Sequence, residues 1–225
     1  MRIIDFYRSA VGKKVVMAVT GMVLFGFVLG HMLGNMKLYQ GAEKLNAYAE
    51  WLRLAGSPLL PHGGLLWIAR VVLLGSVGLH IWSAWRLTRM SWAARPQDYF
   101  KRQAVQASYA SRTVRWGGVI IALFVAFHLA HLTWGWTHPG FEPGEVYANV
   151  VAGFRVWWVA AVYMLAQVAL GFHLYHGLWS LFQTLGWYRQ SDSNDWRRRF
   201  AQVFALFVAV GNLSFPLAVL TGVVK

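Results

Sequence analysis

The sequence contains no cysteine among its 225 residues, and only 8 acidic residues stand against 21 lysines and arginines. The absence of cysteine excludes disulfides, iron–sulfur ligation and covalent attachment of a c-type haem within this chain. Charged residues make up only 13% of the sequence, whereas 57% of its residues are hydrophobic. This composition is typical of a membrane protein and not of a soluble globular domain.

The formal net charge of +13 would suit a nucleic-acid-binding protein, but the basic residues stand in short segments between apolar runs. Basic segments in these positions indicate contact with lipid headgroups, so membrane lipid is an expected partner and nucleic acid is not. They are concentrated in the N-terminal tail and in the second and fourth loops. The positive-inside rule therefore predicts a multi-pass protein of the bacterial cytoplasmic (inner) membrane, with its N-terminus cytoplasmic and its C-terminus outside.

Five apolar segments are each longer than the about 20 residues that a membrane-spanning helix requires. They cover residues 15–38, 63–87, 114–137, 154–185 and 200–224. Inside a bilayer the backbone must satisfy its own hydrogen bonds, and segments of this length do so only as helices. The predicted fold class is an all-α membrane protein, a single membrane-anchor domain over residues 1–225 with five transmembrane helices in a bundle. The first segment follows basic residues as a signal peptide does, but its length and the lack of a cleavage site predict a retained helix.

Four of the eight histidines, His31, His80, His128 and His173, lie one apiece in the first four segments. At about 1.5 Å per residue, His31 and His128 lie roughly 10 to 14 Å below the outer helix ends, whereas His80 and His173 lie roughly 26 to 28 Å below theirs. Buried histidine in a soluble protein is usually a hydrogen-bonded core residue, but inside a membrane it is usually functional. Because neutral imidazole is the usual axial ligand of haem iron, the sequence predicts two b haems. His31 and His128 would bind the distal haem iron, and His80 and His173 the proximal one.

His131 and His176 lie three residues beyond two of these ligands, near the same helical face, so depth alone does not decide between the neighbours. A small residue stands two positions before His80, His128 and His173, which would let a flat macrocycle approach the backbone. Glycine that mediates helix packing is the alternative explanation. The pattern favours His128 and His173 as ligands and leaves His131 and His176 to bind propionate, water or quinone.

Arg70 and Glu50 are further candidates for the site. Arg70 lies roughly 10 Å below the outer end of the second helix, where an unpaired cation is costly. A propionate of the distal haem is one possible counter-ion, and snorkelling to the outer interface is the alternative. Reduction of a quinone consumes protons, and Glu50, beside Trp51 in the first outer loop, is a candidate for that site. An ordinary interfacial carboxylate is the competing interpretation of Glu50.

Segment 173–180, HLYHGLWS, resembles the His-x-x-x-Gly-Leu-Trp-Ser motif of a known family. This family is the diheme, five-helix cytochrome b membrane subunit of type B succinate:quinone oxidoreductases and fumarate reductases. Segments 30–32 (GHM) and 41–43 (GAE) are similar to the family as well, and the order and spacing of the histidines extend the resemblance over nearly the whole chain. The motif assigns His173, rather than His176, as the ligand.

The resemblance implies a role in succinate dehydrogenase, an enzyme of the tricarboxylic acid cycle, or in fumarate reductase. In such complexes a flavoprotein subunit oxidises succinate, and an iron–sulfur subunit passes the electrons to the cytochrome subunit. The cytochrome subunit anchors both partners and carries electrons through two haems to or from menaquinone. This chain would then be the haem-bearing, quinone-reactive part of an oxidoreductase, with no dicarboxylate active site. FAD and the iron–sulfur clusters would belong only to the partners.

Two other functions fit parts of the pattern. A cytochrome b anchor of another quinone-linked dehydrogenase also uses membrane histidines, although such families distribute their ligands over other helices. A histidine-based proton or metal transporter would explain isolated histidines inside the membrane. It would not explain their pairing in two layers, nor the near absence of carboxylates from the apolar segments.

Overall fold

The computed structural model of the chain describes residues 3–94, 109–138, 140–187 and 196–225, and within these ranges it contains helices and no strand. The helices are α1 (Ile3–Arg8), α2 (Ala10–Asn35), α3 (Ala42–Leu54), α4 (Gly64–Ala93), α5 (Tyr109–Leu132), α6 (Val146–Arg155), α7 (Trp157–Thr184) and α8 (Trp196–Leu220). A 3₁₀ turn, Met36–Gln40, continues α2. Five helices, α2, α4, α5, α7 and α8, are long and apolar enough to cross a membrane, which confirms the predicted all-α membrane fold.

The helix ends differ from the hydropathy boundaries by a few residues in each segment, and two of the differences introduce a turn inside a predicted segment. The third predicted segment, 114–137, ends as a helix at Leu132, and Gly135 takes a left-handed conformation in the turn that follows. The fourth predicted segment, 154–185, is interrupted at Val156, whose backbone is extended between α6 and α7. Apolar residues run through this bend because α6 is also buried, so hydropathy alone does not reveal the interruption.

Helices α3 and α6 pack on each other at the end of the bundle where α2, α5 and α8 finish, and we call this pair the cap. Asn46 of α3 joins the two cap helices, since its side-chain amide donates to Glu145 (2.9 Å) and its oxygen accepts from the Tyr147 amide (3.0 Å). The Tyr147 hydroxyl donates to the carbonyl of Lys225 (2.9 Å). The C-terminus is therefore held at the cap end, opposite α1.

Close helix packing depends on small side chains, as is usual inside membranes. Helix α7 packs against α5 on one side and α8 on another, and α2 packs against α4. A methyl group added at Gly171 of α7 would lie 3.1 Å from the Cβ of Ala209 on α8, and one at Gly211 of α8 would overlap the sulfur of Met32 on α2. Large apolar side chains cover the outside of the bundle, with Leu74 75% and Leu165 69% exposed, as expected for a surface that faces lipid.

Candidate histidine pairs inside the membrane

The four histidines singled out in the sequence form two pairs in the structure. The ring centroids of His31 on α2 and His128 on α5 are 5.9 Å apart. Those of His80 on α4 and His173 on α7 are 6.2 Å apart. Because α2 packs on α4 and α5 packs on α7, each pair bridges the space between these two layers of helices.

The two pairs lie at different depths in the bundle. His31 and His128 each lie one helical turn before the last residue of their helices, about 6 Å from the cap end. His80 and His173 each lie more than four turns beyond the first residue of theirs, about 24 Å from the same end. We keep the terms distal pair for His31 with His128 and proximal pair for His80 with His173.

The spacing within each pair suits a metal that binds one imidazole on each side. Imidazole nitrogen binds a transition metal at about 2 Å, so two such ligands on opposite sides have ring centroids about 6 Å apart. No group of three or more His, Cys, Asp or Glu side chains that could hold a metal occurs among the described residues. The spacing of each two-histidine pair suits haem iron, which receives its other four ligands from the porphyrin.

Two histidines of these pairs lie where a ligand between the helices would stabilise them. His31 is exposed on the surface of the chain even though it lies within a membrane-spanning helix. The ring of His173 lies near the carbonyl of Val114, and its buried Nδ1 atom contacts no other polar side chain of the described residues. A polar ring in hydrocarbon is costly, and ligation by a metal reduces that cost.

Two glycines that the sequence analysis did not single out lie against the proximal pair. A methyl group at Gly21 of α2 would lie 3.5 Å from Cε1 of His80, and one at Gly118 of α5 would lie 3.7 Å from Cε1 of His173. Glycine in the middle of a helix is destabilising by about 1 kcal/mol relative to alanine. A glycine inside a membrane span is therefore a sequence signal that could have identified these two positions. The small residue before His173 has another explanation, because Gly171 contacts α8.

Hydroxyl groups that the sequence analysis also missed contact one histidine of each pair. The Nδ1 atom of His80 lies 3.2 Å from the Thr20 hydroxyl, and the Nδ1 atom of His128 lies 3.2 Å from the Tyr163 hydroxyl. The same Tyr163 oxygen is 3.0 Å from Nδ1 of His131. A threonine or tyrosine within an apolar span is visible in the sequence as a candidate partner for a histidine. The sequence alone does not reveal which histidine its hydroxyl group contacts.

His131 has different surroundings from His128. It is 2% exposed, its ring stacks on that of His138 at 4.7 Å, and a methyl group at Gly153 would lie 2.6 Å from its Cε1 atom. His138 in turn contacts the carbonyl oxygen of Asn149 through Nε2 at 2.8 Å. The structure thus brings His128, and not His131, to the ring of His31.

Arg70 is exposed on α4, and its guanidinium lies 4.9 Å from the ring centroid of Trp67. Trp67 is one helical turn nearer the cap, so the side chain extends toward that end of the bundle. This orientation is compatible with snorkelling, and the described residues include no ion pair with Arg70.

Glu50 and Trp51 lie on α3, one of the two cap helices, and both are exposed. The Glu50 carboxylate is 3.3 Å from the Arg53 guanidinium and 3.3 Å from Nε2 of His62. Trp51 is 60% exposed and stacks on Tyr48 with ring centroids 5.9 Å apart. The cap therefore presents a carboxylate with two nitrogen partners beside an open aromatic surface.

The fold and the histidine pairs define a multi-pass membrane protein with a two-layered, histidine-bridged bundle. Residues 94–213 match the family model of the succinate dehydrogenase/fumarate reductase transmembrane subunit. The matched segment covers more than half of the chain, and the chain belongs to this family. It includes His128 and His173, whereas His31 and His80 precede it. Neither the curated proteins nor the solved structures contained a match.

Proposed function

We propose that the chain is the diheme cytochrome b anchor of a type B succinate:quinone oxidoreductase or fumarate reductase. The observation that carries this proposal is the pairing of four histidines at two depths, with ring centroids 5.9 and 6.2 Å apart, in a member of this family. His31 and His128 hold the distal b haem, and His80 and His173 hold the proximal one. Bound in this way, the haems supply one-electron transfer along the membrane normal.

The chain's own residues determine how the haems work. His31 with His128, and His80 with His173, would each hold one haem through imidazole, and a haem held by two imidazoles would supply electron transfer and would not bind oxygen or substrate. Gly21 and Gly118 lie beside the proximal rings, where an added methyl group would contact Cε1 of His80 and of His173 respectively. The site is therefore built for electron transfer and not for bond-making chemistry.

The end of the bundle opposite the cap is the proposed docking side for the iron–sulfur and flavoprotein subunits. Arg86, Arg89 and Arg115 are exposed there, each beside a tryptophan ring. Their positive charge suits an acidic partner surface, and the proximal pair is the nearer of the two pairs to this side. The flavoprotein with its FAD and the iron–sulfur clusters would reside in those partners, and the docking side would be cytoplasmic.

The cap is the proposed menaquinone site, with Glu50 and Trp51 as its residues. A quinone needs a flat apolar surface for its ring and a group that exchanges protons when the ring is reduced. Trp51 offers the first, and Glu50, held by Arg53 and His62, offers the second. The distal pair lies about one turn below this end of the bundle, within reach for electron transfer.

Haem quantification tests the central proposal. The protein, purified from membranes with the subunits that accompany it, should give two b haems per chain by pyridine haemochrome and by a reduced-minus-oxidised spectrum. Replacement of His31 or His128 by alanine should remove the distal haem alone, and replacement of His80 or His173 the proximal haem alone. His62→Ala is the matched control and should retain both haems.

Each contrary result favours a different function. A wild-type protein without haem, expressed with adequate haem supply, would reject the cytochrome and favour a histidine-based transporter. Retention of both haems in the His31→Ala variant would indicate an anchor for another quinone-linked dehydrogenase, with its ligands elsewhere.

A further inference from the structure

One histidine of each pair contacts a hydroxyl group through the ring nitrogen Nδ1. These contacts are His128 with Tyr163 and His80 with Thr20, both at 3.2 Å. Tyr163 is 5% exposed and Thr20 is 6% exposed, so neither hydroxyl is free to exchange its partner for bulk water. The contacts lie at the two depths of the two histidine pairs and come from different helices, α7 and α2.

From these contacts we infer that Tyr163 and Thr20 are positioning residues that orient the distal and proximal haem ligands respectively and set the reduction potential of each haem separately. This inference rests on the proposed diheme function. It concerns the group behind each ligand, since the hydroxyls do not themselves reach the metal. Partners of this kind fix the ring orientation of a ligating histidine and raise its basicity.

The hydrogen-bond directions are consistent with ligation through Nε2. A neutral imidazole that binds a metal through Nε2 carries its proton on Nδ1, so His80 donates to the Thr20 oxygen. Thr20 then donates its own proton, and its Oγ1 atom lies 2.8 Å from the carbonyl oxygen of Val16. The Thr20 hydroxyl thus accepts one hydrogen bond, from His80, and donates another, to the Val16 carbonyl.

The same direction applies at the distal pair. His128 donates from Nδ1 to the Tyr163 oxygen, and Tyr163 donates to Nδ1 of His131 at 3.0 Å. His131 is thereby restricted to the tautomer with its proton on Nε2. Its ring is fixed by stacking on Phe127 (5.5 Å) and on His138 (4.7 Å), so Tyr163 has a rigid acceptor. This assigns a role to His131 that does not require it to bind iron.

The other histidine of each pair lacks an equivalent contact in the described part of the chain. His31 stacks on Phe27 with ring centroids 5.3 Å apart, and the ring of His173 lies near the backbone carbonyl of Val114 and not near a hydroxyl group of the described residues. Each haem would therefore have one ligand that contacts a hydroxyl group and one that does not. The two potentials are then adjustable independently, each through a single side chain.

Redox titration of the purified complex, with haem content measured in the same sample, tests the inference. An imidazole whose N–H has lost its acceptor donates less charge to the metal, which favours the reduced state. Tyr163→Phe should raise the distal potential, and Thr20→Val should raise the proximal potential. The expected shift in potential is up to about 59 mV, which for one electron is a tenfold change in the equilibrium between oxidised and reduced haem. The distal haem is identified by the redox signal that is lost in His31→Ala, and the proximal haem by the signal that is lost in His80→Ala.

Two control variants and a measurement of haem content separate this effect from general damage. Tyr147→Phe removes a hydroxyl that donates to the Lys225 carbonyl in the cap, away from both histidine pairs, and both potentials should stay unchanged. Thr20→Ser keeps the hydroxyl and should restore the wild-type proximal potential. Tyr163→Phe retains the ring that packs on Phe124 and Phe154, so haem content should be preserved.

The outcomes distinguish this inference from the proposed function. Wild-type protein without haem would reject the function and the inference together. Two haems with unchanged potentials in both Tyr163→Phe and Thr20→Val would reject the inference alone. A shift of the wrong haem, or of both haems by one substitution, would also overturn it. If Tyr163→Phe loses haem, the comparison of Thr20→Val with Thr20→Ser tests the inference. Only the valine variant should shift the proximal potential.

Discussion

At the scale of single residues, neighbouring histidines on one helix have different partners. His128 and His131 are three residues apart and lie near the same face of α5, but one meets the ring of His31 and the other lies beneath the cap. Glycine at position 153 leaves the space that the His131 ring occupies. Which of the two histidines meets His31 depends on residues of α2, α6 and α7. The sequence of α5 alone does not indicate these contacts.

Arg70 offers a residue-scale test of the distal site. If its guanidinium is the counter-ion of a distal haem propionate, Arg70→Gln removes a positive charge that stabilises the more negative, reduced state. The distal potential should then fall by about 60 mV, a tenfold change in the one-electron equilibrium, while the proximal potential stays constant. Potentiometric titration of the purified complex measures both values.

The matched variant Arg70→Lys keeps the charge and should retain most of the distal potential. Unchanged haem content and an unchanged distal potential in Arg70→Gln would mean that Arg70 only snorkels. Its stacking on Trp67, toward the cap end, would then be its full role.

At the scale of elements, the cap helices show what hydropathy does not predict. Helix α6 and the start of α7 form one apolar run in the sequence, yet the chain turns at Val156 and places α6 across the end of the bundle. The contacts that hold it there come from α3, through Asn46 with Glu145 and Tyr147. These pairs are about 100 residues apart in sequence, so local patterns contain no information about them.

Helix α3 provides a test of the quinone proposal. Glu50→Gln should slow quinone reduction by about 100-fold, because the side chain keeps its shape but no longer exchanges protons. The haem content and the reduction of the haems through the partner subunits should remain as in the wild type. The measurement is the rate of menaquinone-analogue reduction by the purified complex.

Glu43 is the matched control for this substitution. It lies on the same helix, its side chain is 89% exposed, and its only ion pair in the described structure is with the adjacent Lys44. Glu43→Gln should leave quinone reduction unchanged. Equal rates for the Glu50→Gln and Glu43→Gln variants would remove Glu50 from the site.

At the scale of the whole molecule, five crossings place the two ends of the described chain on opposite sides of the bundle. The C-terminus binds the cap through Tyr147, whereas α1 lies at the other end, where the buried amine of Lys13 donates to the Tyr7 and Arg8 carbonyls. The basic residues of that end predict that it faces the cytoplasm.

The absence of cysteine makes this orientation directly testable. Single cysteines at Asp5, in α1, and at Glu43, in the cap, occupy exposed positions at opposite ends. A membrane-impermeant maleimide should label the Glu43→Cys variant in intact spheroplasts and the Asp5→Cys variant only after permeabilisation. The reverse pattern would invert the proposed topology, with the quinone site then on the cytoplasmic side.

The number of membrane crossings and the pairing of the histidines follow from the amino-acid sequence. Both depend on quantities that are linear along the chain, namely the length of an apolar run and the rise per residue of a helix. Depth alone therefore predicts the pairs His31 with His128 and His80 with His173, and the structure brings the same residues together.

The groups that lie beside each histidine depend instead on how the helices pack. Thr20 meets His80 across 60 positions of sequence, and Tyr163 meets His128 across 35. Such contacts depend on the rotation of each helix about its axis and on the close approach that glycines such as Gly171 and Gly211 allow. Depth along a helix can be counted from the sequence, but helix rotation is set by packing against several other helices at once, and only the folded bundle determines it.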